Sequence, residues 1–271
     1  PGAMASMALR ASRKGFSCFA FTHSNPLMLS FNGIAPLFGT NPICFSCPNG
    51  KKEPYCLDMA TTLISWNKLL NLKEKGKKLE NNMGANKKGK ITNNPDDVAS
   101  LLPIGNYKGY GLASMIEILC GVMTGMPFGN DCLPMYTTPM DKKRHLGQFY
   151  MVFKTDGSIS KKKFIKRMDK FSKMVRSQKS RNKKDKVMLP NDVEIQESKK
   201  RLKYGIPLDK KEIIETCRSL VNMLSKKRAD NYHEWIRVGW ALHNTDLSLL
   251  DSWVQFSKKS KKFKSGECEK R

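Results

Sequence analysis

Two short segments combine a charged side chain with small neighbours that let a ligand approach the backbone. Asp58 follows an apolar run, and Met59 and Ala60 after it offer backbone N–H groups with little bulk. A carboxylate there can accept hydrogen bonds from hydroxyl or amide groups of a ligand. Lys108 precedes Gly109 on backbone that glycines make flexible, and its cation suits a phosphate or a carboxylate. The alternatives are a helix N-cap for Asp58, an ordinary loop lysine for Lys108, and simple turn geometry for the glycines.

The histidines and cysteines form no pattern that predicts a metal or a nucleophile site. Cys44 and Cys47 make a C-x₂-C pair inside a strand-like run, but no second pair follows at zinc spacing. Cys56 and Cys120 do not complete the pair, so all four are interpreted as core thiols. His233 and His243 lack cysteine partners. The sequence also holds no Walker loop and no Ser/His/Asp arrangement.

Strands and helices alternate through the first two hundred residues, which predicts an α/β fold. Apolar runs predict strands at 15–22, 42–48, 55–59 and 145–153. Helical spacing predicts helices at 61–80, 112–124 and 161–176, with polar loops at 84–95 and 177–186. No Gly-x-Gly-x-x-Gly follows a strand, so a doubly wound dinucleotide fold is not predicted.

From Asp209 onward the apolar spacing is purely helical. Asp209 and Glu212 form a start like a capping box. One apolar face follows, consisting of Ile213, Ile214, Cys217, Leu220, Val221 and Leu224. Asp230 is predicted to cap a second helix, and a third follows at 249–256. The spacing of Trp235, Trp240 and Trp253 predicts a helical core, with base stacking as the alternative. We therefore divide the chain into residues 1–212 and an all-α module at 213–271.

Composition and charge indicate the cellular compartment of the protein and the kind of partner it could bind. The formal net charge of +25 favours polyanionic partners such as nucleic acid, although a generally lysine-rich composition explains it equally. No apolar run approaches the ~20 residues of a membrane span, and no secretory signal begins the sequence. Scattered cysteines in a lysine-rich chain favour free thiols in a reducing, cytoplasmic setting.

Five segments, in order along the chain, resemble the malate/L-lactate dehydrogenase family. They are Gly-Thr-Asn-Pro at 39–42, Leu-Asp-Met-Ala-Thr at 57–61, Lys-Gly-Tyr-Gly-Leu at 108–112, Gly-Gln-Phe at 147–149 and Tyr-Gly-Ile-Pro-Leu-Asp at 204–209. The resemblance implies a mixed sheet that is not doubly wound. It also implies NAD or NADP at a cleft, a small 2-hydroxy or 2-oxo acid as substrate, and a homodimer. The cofactor-contacting positions that it implies are Ser24, Asp58, Met59, Ala60, Lys108 and Gly109.

Several departures from that family bear on activity. The family's base histidine belongs to a segment just before the stretch that begins here at Met7, so no catalytic residue is assigned and the chain alone is predicted to be inactive. His23 and His145 stand where the family usually has Asn, and both are interpreted as non-catalytic. Leu-Pro-Asn-Asp at 189–192 replaces a Pro-Gly-Glu segment, which puts a diphosphate contact in doubt. Asn86 stands where Asp is common.

Residues 213–271 resemble a different family, the helical primase C-terminal domain found beside viral primase-helicases. The segments that carry this resemblance are 224–230, 232–243, 253–260 and 266–269. It implies association with a DNA-replication enzyme and makes a nucleic-acid module the alternative function. The basic run at 258–264 fits a phosphate-tracking patch or a solvated helix end. Whether the join of two unrelated pieces is natural or an artefact of sequence assembly stays open.

Overall fold

The structure, a computed structural model, describes residues 3–50, 52–80, 82–182, 185–206 and 210–268. Its contacts divide the chain into two compact units, Pro1–Gln196 and Glu197–Arg271. The predicted boundary after residue 212 came from composition and a capping pattern rather than from contacts, and it stays a prediction.

The elements of the described residues alternate as an α/β fold and then become purely helical. The strands are β1 (Phe16–Thr22), β2 (Met28–Leu29), β3 (Pro36–Phe38), β4 (Ile43–Asn49), β5 (Lys52–Met59), β6 (Gly84–Ala85), β7 (Ile91–Thr92), β8 (Ser100–Leu101) and β9 (Gln148–Lys154). The α-helices are α1 (Ala5–Arg13), α2 (Trp66–Glu74), α3 (Tyr107–Glu117), α4 (Lys161–Arg176), α5 (Asp192–Tyr204), α6 (Lys210–Met223), α7 (Lys226–Asp230), α8 (Tyr232–Thr245) and α9 (Leu250–Ser257).

The main sheet of the first unit is antiparallel, in the order β5-β4-β1-β9. Because side chains alternate across a strand, Cys18 and Ala20 of β1 face α1 on one side. Phe19 and Phe21 face the other side, where Phe21 packs against Ile116 of α3. The sheet therefore lies between two helices.

A second sheet of short strands has the order β3-β2-β8-β6-β7. Its β2–β8 pair is parallel, with Met28 opposite Leu101, and its other pairs are antiparallel. Leu101 is fully buried and joins the core built from Ile64, Leu69 and Leu79. The fold is thus mixed α/β and not doubly wound, which confirms the predicted class.

Several predicted elements have different bounds in the structure. The helix predicted at 61–80 is only α2, because Ser65 caps its start through a bond from Lys68 N to Ser65 Oγ. The loop predicted at 84–95 contains the β6–β7 hairpin, which turns at Gly89 with a φ of 70°. The strand predicted at 145–153 is β9, which starts at Gln148.

The second unit packs helices α6–α9 around a core that contains Trp235 and Trp253, whose ring centroids lie 4.8 Å apart. Trp240 is 58% exposed, so the prediction that it belongs to this core is wrong. Asn231, not Asp230, caps α8, since its side chain accepts from the N–H groups of the first turn. Asp209, predicted to cap the first helix, lies outside the described residues.

Two further details differ from the predicted helical module. Helix α7 adds a fourth α-helix between 210 and 257, where three were predicted. Leu220 is 57% exposed and leaves the apolar face of α6, which buries Val221 instead. In the described part of the chain, no helix combines the length and apolarity that crossing a bilayer requires.

Candidate functional site

Thr61 joins three segments of the chain, at 37–42, 57–62 and 101–112. Its N–H and its hydroxyl both donate to Thr40 O, at 2.9 and 3.0 Å. Its carbonyl accepts from Ile104 N at 2.9 Å, and its side chain is fully buried. Segments far apart in sequence are therefore fixed to one another by backbone bonds, and we call this place the Thr61 junction.

Gly109 is fixed to the same junction. Its N–H donates to Ile104 O at 2.8 Å. A Cβ on Gly109 would lie 2.3 Å from Ile104 O and 2.6 Å from Ile104 N, closer than real contacts allow. Glycine at this position is thus required by packing rather than by turn geometry.

Lys108 lies in the first turn of α3, so the prediction that it sits on flexible backbone is wrong. The helix begins at Tyr107, earlier than the predicted start at 112, and a π-helical turn at Ile118–Val122 continues it. Lys108 is exposed and forms no ion pair among the residues described. The helix N-terminus adds a partial positive charge beside its amine, which favours an anion.

Asp58, Met59 and Ala60 lead directly into the junction. Asp58 is exposed near the end of β5, and its Oδ2 accepts from Ala5 N at 2.8 Å. The alternative of a helix N-cap before Thr61 is therefore wrong, because Asp58 lies in β5 and its carboxylate accepts from the first N–H of α1. One oxygen of this carboxylate remains available to a ligand.

Ser24 follows β1 and contacts the Gly-Thr-Asn-Pro segment. Its N–H donates to Asn41 Oδ1 at 3.3 Å, and a Cβ on Gly39 would lie 2.1 Å from Ser24 Oγ. All six predicted cofactor-binding residues thus lie on segments that meet at or beside the Thr61 junction. Their contact with a cofactor stays a prediction.

A buried polar network behind the junction was missed in the sequence. Asn41 Nδ2 donates to Ala113 O at 3.0 Å and to Glu117 Oε2 at 2.7 Å. Glu117 Oε1 accepts from Gly129 N at 2.7 Å. The sequence did offer one signal of this network: Glu117 is the single acidic residue in the apolar run at 112–123. Because charges are rarely buried without partners, its position indicates a buried polar contact.

His23 and Cys132 border that network. His23 has no exposed surface, and its Nε2 bonds to Pro127 O at 2.9 Å. Cys132 Sγ donates to the same oxygen at 3.2 Å. Burial raises the pKa of the Cys132 thiol to about 11, and the Glu117 and Asp131 carboxylates act in the same direction. His23 cannot reach a substrate in this conformation.

The C-x₂-C cysteines lie on opposite faces of β4, because they are three residues apart on a strand. Cys44 Sγ instead lies 3.8 Å from Cys56 Sγ, and their shared hydrogen bond together with burial raises the pKa of Cys44. Seven of the eight cysteines are buried, and Cys217 is partly exposed.

The 189–192 segment forms an ion pair with Arg176 of α4. The Asp192 carboxylate accepts from Arg176 Nε and Nη2 at 2.9 and 2.6 Å, and from Leu189 N at 2.9 Å. The Arg176 guanidinium lowers the pKa of Asp192. This carboxylate therefore stabilises the start of α5.

A cavity of about 490 Å³ opens beside the start of α3. Gly105 and Asn106 line it together with Phe31, Leu63 and Pro103. The six predicted residues are not among its lining residues. The cavity adjoins the first turn of α3 and has room for part of a small ligand.

Comparison with known families agrees with this geometry. Residues 1–215 match the family of malate/L-lactate dehydrogenases, and the chain belongs to that family. Residues 217–271 match a second family, Primase C terminal 2. Both resemblances drawn from the sequence are thereby confirmed.

The chain spans only 43–63% of the length of the three relatives named here. Ureidoglycolate dehydrogenase (NAD(+)) of Escherichia coli K12 is 36% identical over 151 residues, which cover 56% of this chain and 43% of that protein. Malate/(S)-sulfolactate dehydrogenase of Methanothermus fervidus is 32% identical over 207 residues, covering 75% and 58%. The crystal structure of sulfolactate dehydrogenase from Methanocaldococcus jannaschii superposes with a TM-score of 0.70 at 26% identity, covering 81% and 63%.

Proposed function

We propose that the first unit binds a nicotinamide dinucleotide, NAD or NADP, at the Thr61 junction. The parent activity is hydride transfer between that cofactor and a small 2-hydroxy acid. The observation that carries the proposal is the junction itself, which joins Asp58–Ala60 to the first turn of α3 through Thr61 and Ile104. The relatives named above carry out dehydrogenation of such acids, which supports the substrate class.

The residues present fit the cofactor. Lys108 offers an exposed amine at a helix N-terminus, a suitable partner for a phosphate. Gly109 keeps the backbone close to Ile104, and Asp58 has one carboxylate oxygen for a hydroxyl group. The nicotinamide ring, when bound, would accept or supply the hydride. The chain's own residues would bind and orient it.

We propose further that the 271-residue chain by itself turns over little or no substrate. General-base help contributes roughly 10²–10⁴ in rate, and this sequence has no histidine at the position that the family resemblance gives to the base. His23 is fully buried, and His145 lies in the loop before β9.

We also propose that the protein is a homodimer and that it is located in the cytoplasm. The homodimer is supported by exposed apolar side chains along α3 and the π turn, namely Leu112, Met115, Ile118, Val122 and Met123.

Cofactor-dependent stabilisation tests the proposal. At a ligand concentration of 100 Kd, a folded-state ligand adds about 2.7 kcal/mol of stability, so NAD or NADP should raise the unfolding temperature. The same protein should be assayed with malate, lactate, ureidoglycolate and sulfolactate. Stabilisation without turnover is expected. Absence of stabilisation by either dinucleotide refutes the binding site, and ordinary dehydrogenase rates refute the claim of inactivity.

A second candidate function belongs to the second unit, whose family match is a primase segment. Trp240 is 58% exposed and offers a face on which a base could stack. Within the basic run, Lys259 and Lys262 donate to backbone carbonyls of Leu224 and Asp230. Lys258, Lys261 and Lys264 are exposed and available to phosphates.

Titration with single-stranded DNA tests this candidate. Quenching of tryptophan fluorescence that weakens steeply with salt is expected, because phosphate contacts release counterions. Trp240→Ala should abolish most of the quenching. Quenching that is equal in the variant would remove base stacking from the candidate function.

A further inference from the structure

Three metal-ligand side chains that cofactor binding does not use converge inside the first unit. They are His23, Glu117 and Cys132, whose relative exposures are 0, 3 and 2%. One ring nitrogen of His23, one carboxylate oxygen of Glu117 and Cys132 Sγ all lie within 4.8 Å of one another. Imidazole, carboxylate and thiolate are the ligands that Zn²⁺ takes in proteins.

His23 uses only one of its two ring nitrogens in a hydrogen bond within the described residues. Its Nε2–H donates to Pro127 O, while its Nδ1 is buried and has no hydrogen-bond partner among the residues described. A buried acceptor without a donor costs free energy, so it calls for a specific explanation. Metal-ligating histidines commonly donate the second ring N–H to a backbone carbonyl, which fixes the ring and leaves the other nitrogen for the metal.

Glu117 is a buried carboxylate that forms no ion pair with a Lys or Arg of the described residues. Asn41 Nδ2 and Gly129 N each bond one of its oxygens, and each oxygen retains further acceptor capacity. Buried charges in proteins are usually paired or coordinate a metal. The two hydrogen bonds hold the carboxylate in place as outer-shell partners hold metal ligands.

We propose that His23 Nδ1, Glu117 and Cys132 Sγ bind a divalent transition-metal ion of the Zn²⁺ class. A metal–sulfur bond forms as the Cys132 thiol loses its proton to solvent, and no oxidation state changes. Zn–N and Zn–S distances of about 2.0–2.3 Å require the donor atoms to approach within roughly 3.3–3.8 Å, so the donor separations must contract by no more than about 1.5 Å. The fourth ligand is a water molecule or a backbone carbonyl.

The site would tie three places in the chain together. His23 follows β1, Glu117 ends α3, and Cys132 follows the short helix at Gly129–Asp131. Because Glu117 also holds Asn41 of the Gly-Thr-Asn-Pro segment, the ion would stabilise the network behind the Thr61 junction. Its role would be structural.

Titration of the chelator-treated full chain with Co²⁺ tests the site, because Co²⁺ replaces Zn²⁺ and a cobalt–thiolate bond absorbs in the near ultraviolet. One equivalent should bind with that absorption, and one equivalent of Zn²⁺ should displace it and raise the unfolding temperature. Cys132→Ala and His23→Asn should lose the absorption and the Zn²⁺-dependent shift. Asn is the residue that the family resemblance gives at position 23, so this variant is expected to fold if the cysteine variant does not.

Cys47→Ala is the matched control, since Cys47 is a buried thiol of the same unit on β4, and it should bind Co²⁺ as the parent does. Absence of cobalt–thiolate absorption in the parent chain overturns the proposal and leaves a buried imidazole–carboxylate pair as the explanation of the cluster. Absorption that persists in the folded His23→Asn and Cys132→Ala variants also overturns it, because another thiol is then the ligand. These outcomes do not depend on whether NAD or NADP binds.

Discussion

Replacing Gly109 by Ala is expected to destabilise the first unit by about 2 kcal/mol, since overpacking against rigid neighbours costs roughly 1–3 kcal/mol. The new Cβ would lie 2.3 Å from Ile104 O and 2.6 Å from Ile104 N. Both are backbone atoms, and Ile104 N donates to Thr61 O, so no flexible side chain can move aside. The start of α3 must shift away from the junction.

Gly111→Ala is the matched control in the same helix. Apart from its two chain neighbours and the nearby backbone of its own helix, no heavy atom of the described residues lies within 4 Å of a Cβ built at Gly111. Its substitution should therefore stabilise the protein by up to about 1 kcal/mol through helix propensity alone. An alanine at Gly109 would gain the same helix propensity as one at Gly111. The clash with the Ile104 backbone is therefore the only difference expected between the two substitutions.

Scanning calorimetry of the full chain measures both variants. For a domain of this size about 1 kcal/mol shifts the unfolding temperature by roughly 2–4 °C, so a fall of about 4–8 °C is expected for Gly109→Ala and a small rise for Gly111→Ala. Amide hydrogen exchange across 107–117 should show faster opening of α3 in the first variant only. Shifts of the same sign and size in both would refute the close contact of Gly109 with Ile104.

The remaining predictions concern the helical module, the Arg176 ion pair and the domain boundary predicted after residue 212. Trp253→Ala should cost about 3–5 kcal/mol and unfold the module, whereas Trp240→Ala should change its unfolding free energy by less than about 0.5 kcal/mol in denaturant titrations. Asp192→Asn should cost about 1 kcal/mol at neutral pH, because Arg176 is partly exposed and screened. Since the pKa of Asp192 is lowered in the folded state, the parent's advantage in urea unfolding should persist above about pH 4 and disappear as the pH falls further. Limited proteolysis should cut between about 205 and 211 or in the basic loop at 177–186, and one cooperative unfolding step of an uncut chain would contradict the boundary predicted after residue 212.

Periodicity in the sequence located the strands of the main sheet, and short motifs identified both families, but the bounds of several helices were misjudged. The helix at 61–80 was predicted too long because its lysines and leucines keep a helical spacing beyond Glu74, while Ser65 caps its true start. The start of α3 was placed too late because Gly105 and Gly109 are typical of loops. The close packing of Gly109 on Ile104, which explains that glycine, depends on a contact that spacing alone does not indicate.

The buried polar network behind the Thr61 junction could not be predicted from the sequence. His23, Glu117 and Cys132 lie far apart along the chain, so no ligand spacing indicated that they converge. The exposure of Trp240 could not be predicted either, because helical spacing alone places it in the core with Trp235. In the structure Gly239 packs against Trp253, so the side chain of the next residue, Trp240, points outward. A Cβ at Gly239 would lie 2.2 Å from the Trp253 ring.

Calorimetric titration of NAD and NADP into the chain and two lysine variants tests the central claim most directly. Lys108→Ala removes the amine at the start of α3, and Lys68→Ala removes an exposed lysine from the first turn of α2 as a control. We expect saturable binding of one dinucleotide by the parent and by Lys68→Ala, with affinity at least tenfold weaker in Lys108→Ala, which corresponds to about 1.4 kcal/mol. Binding that is absent from the parent, or equal in both variants, would contradict a cofactor site at the Thr61 junction.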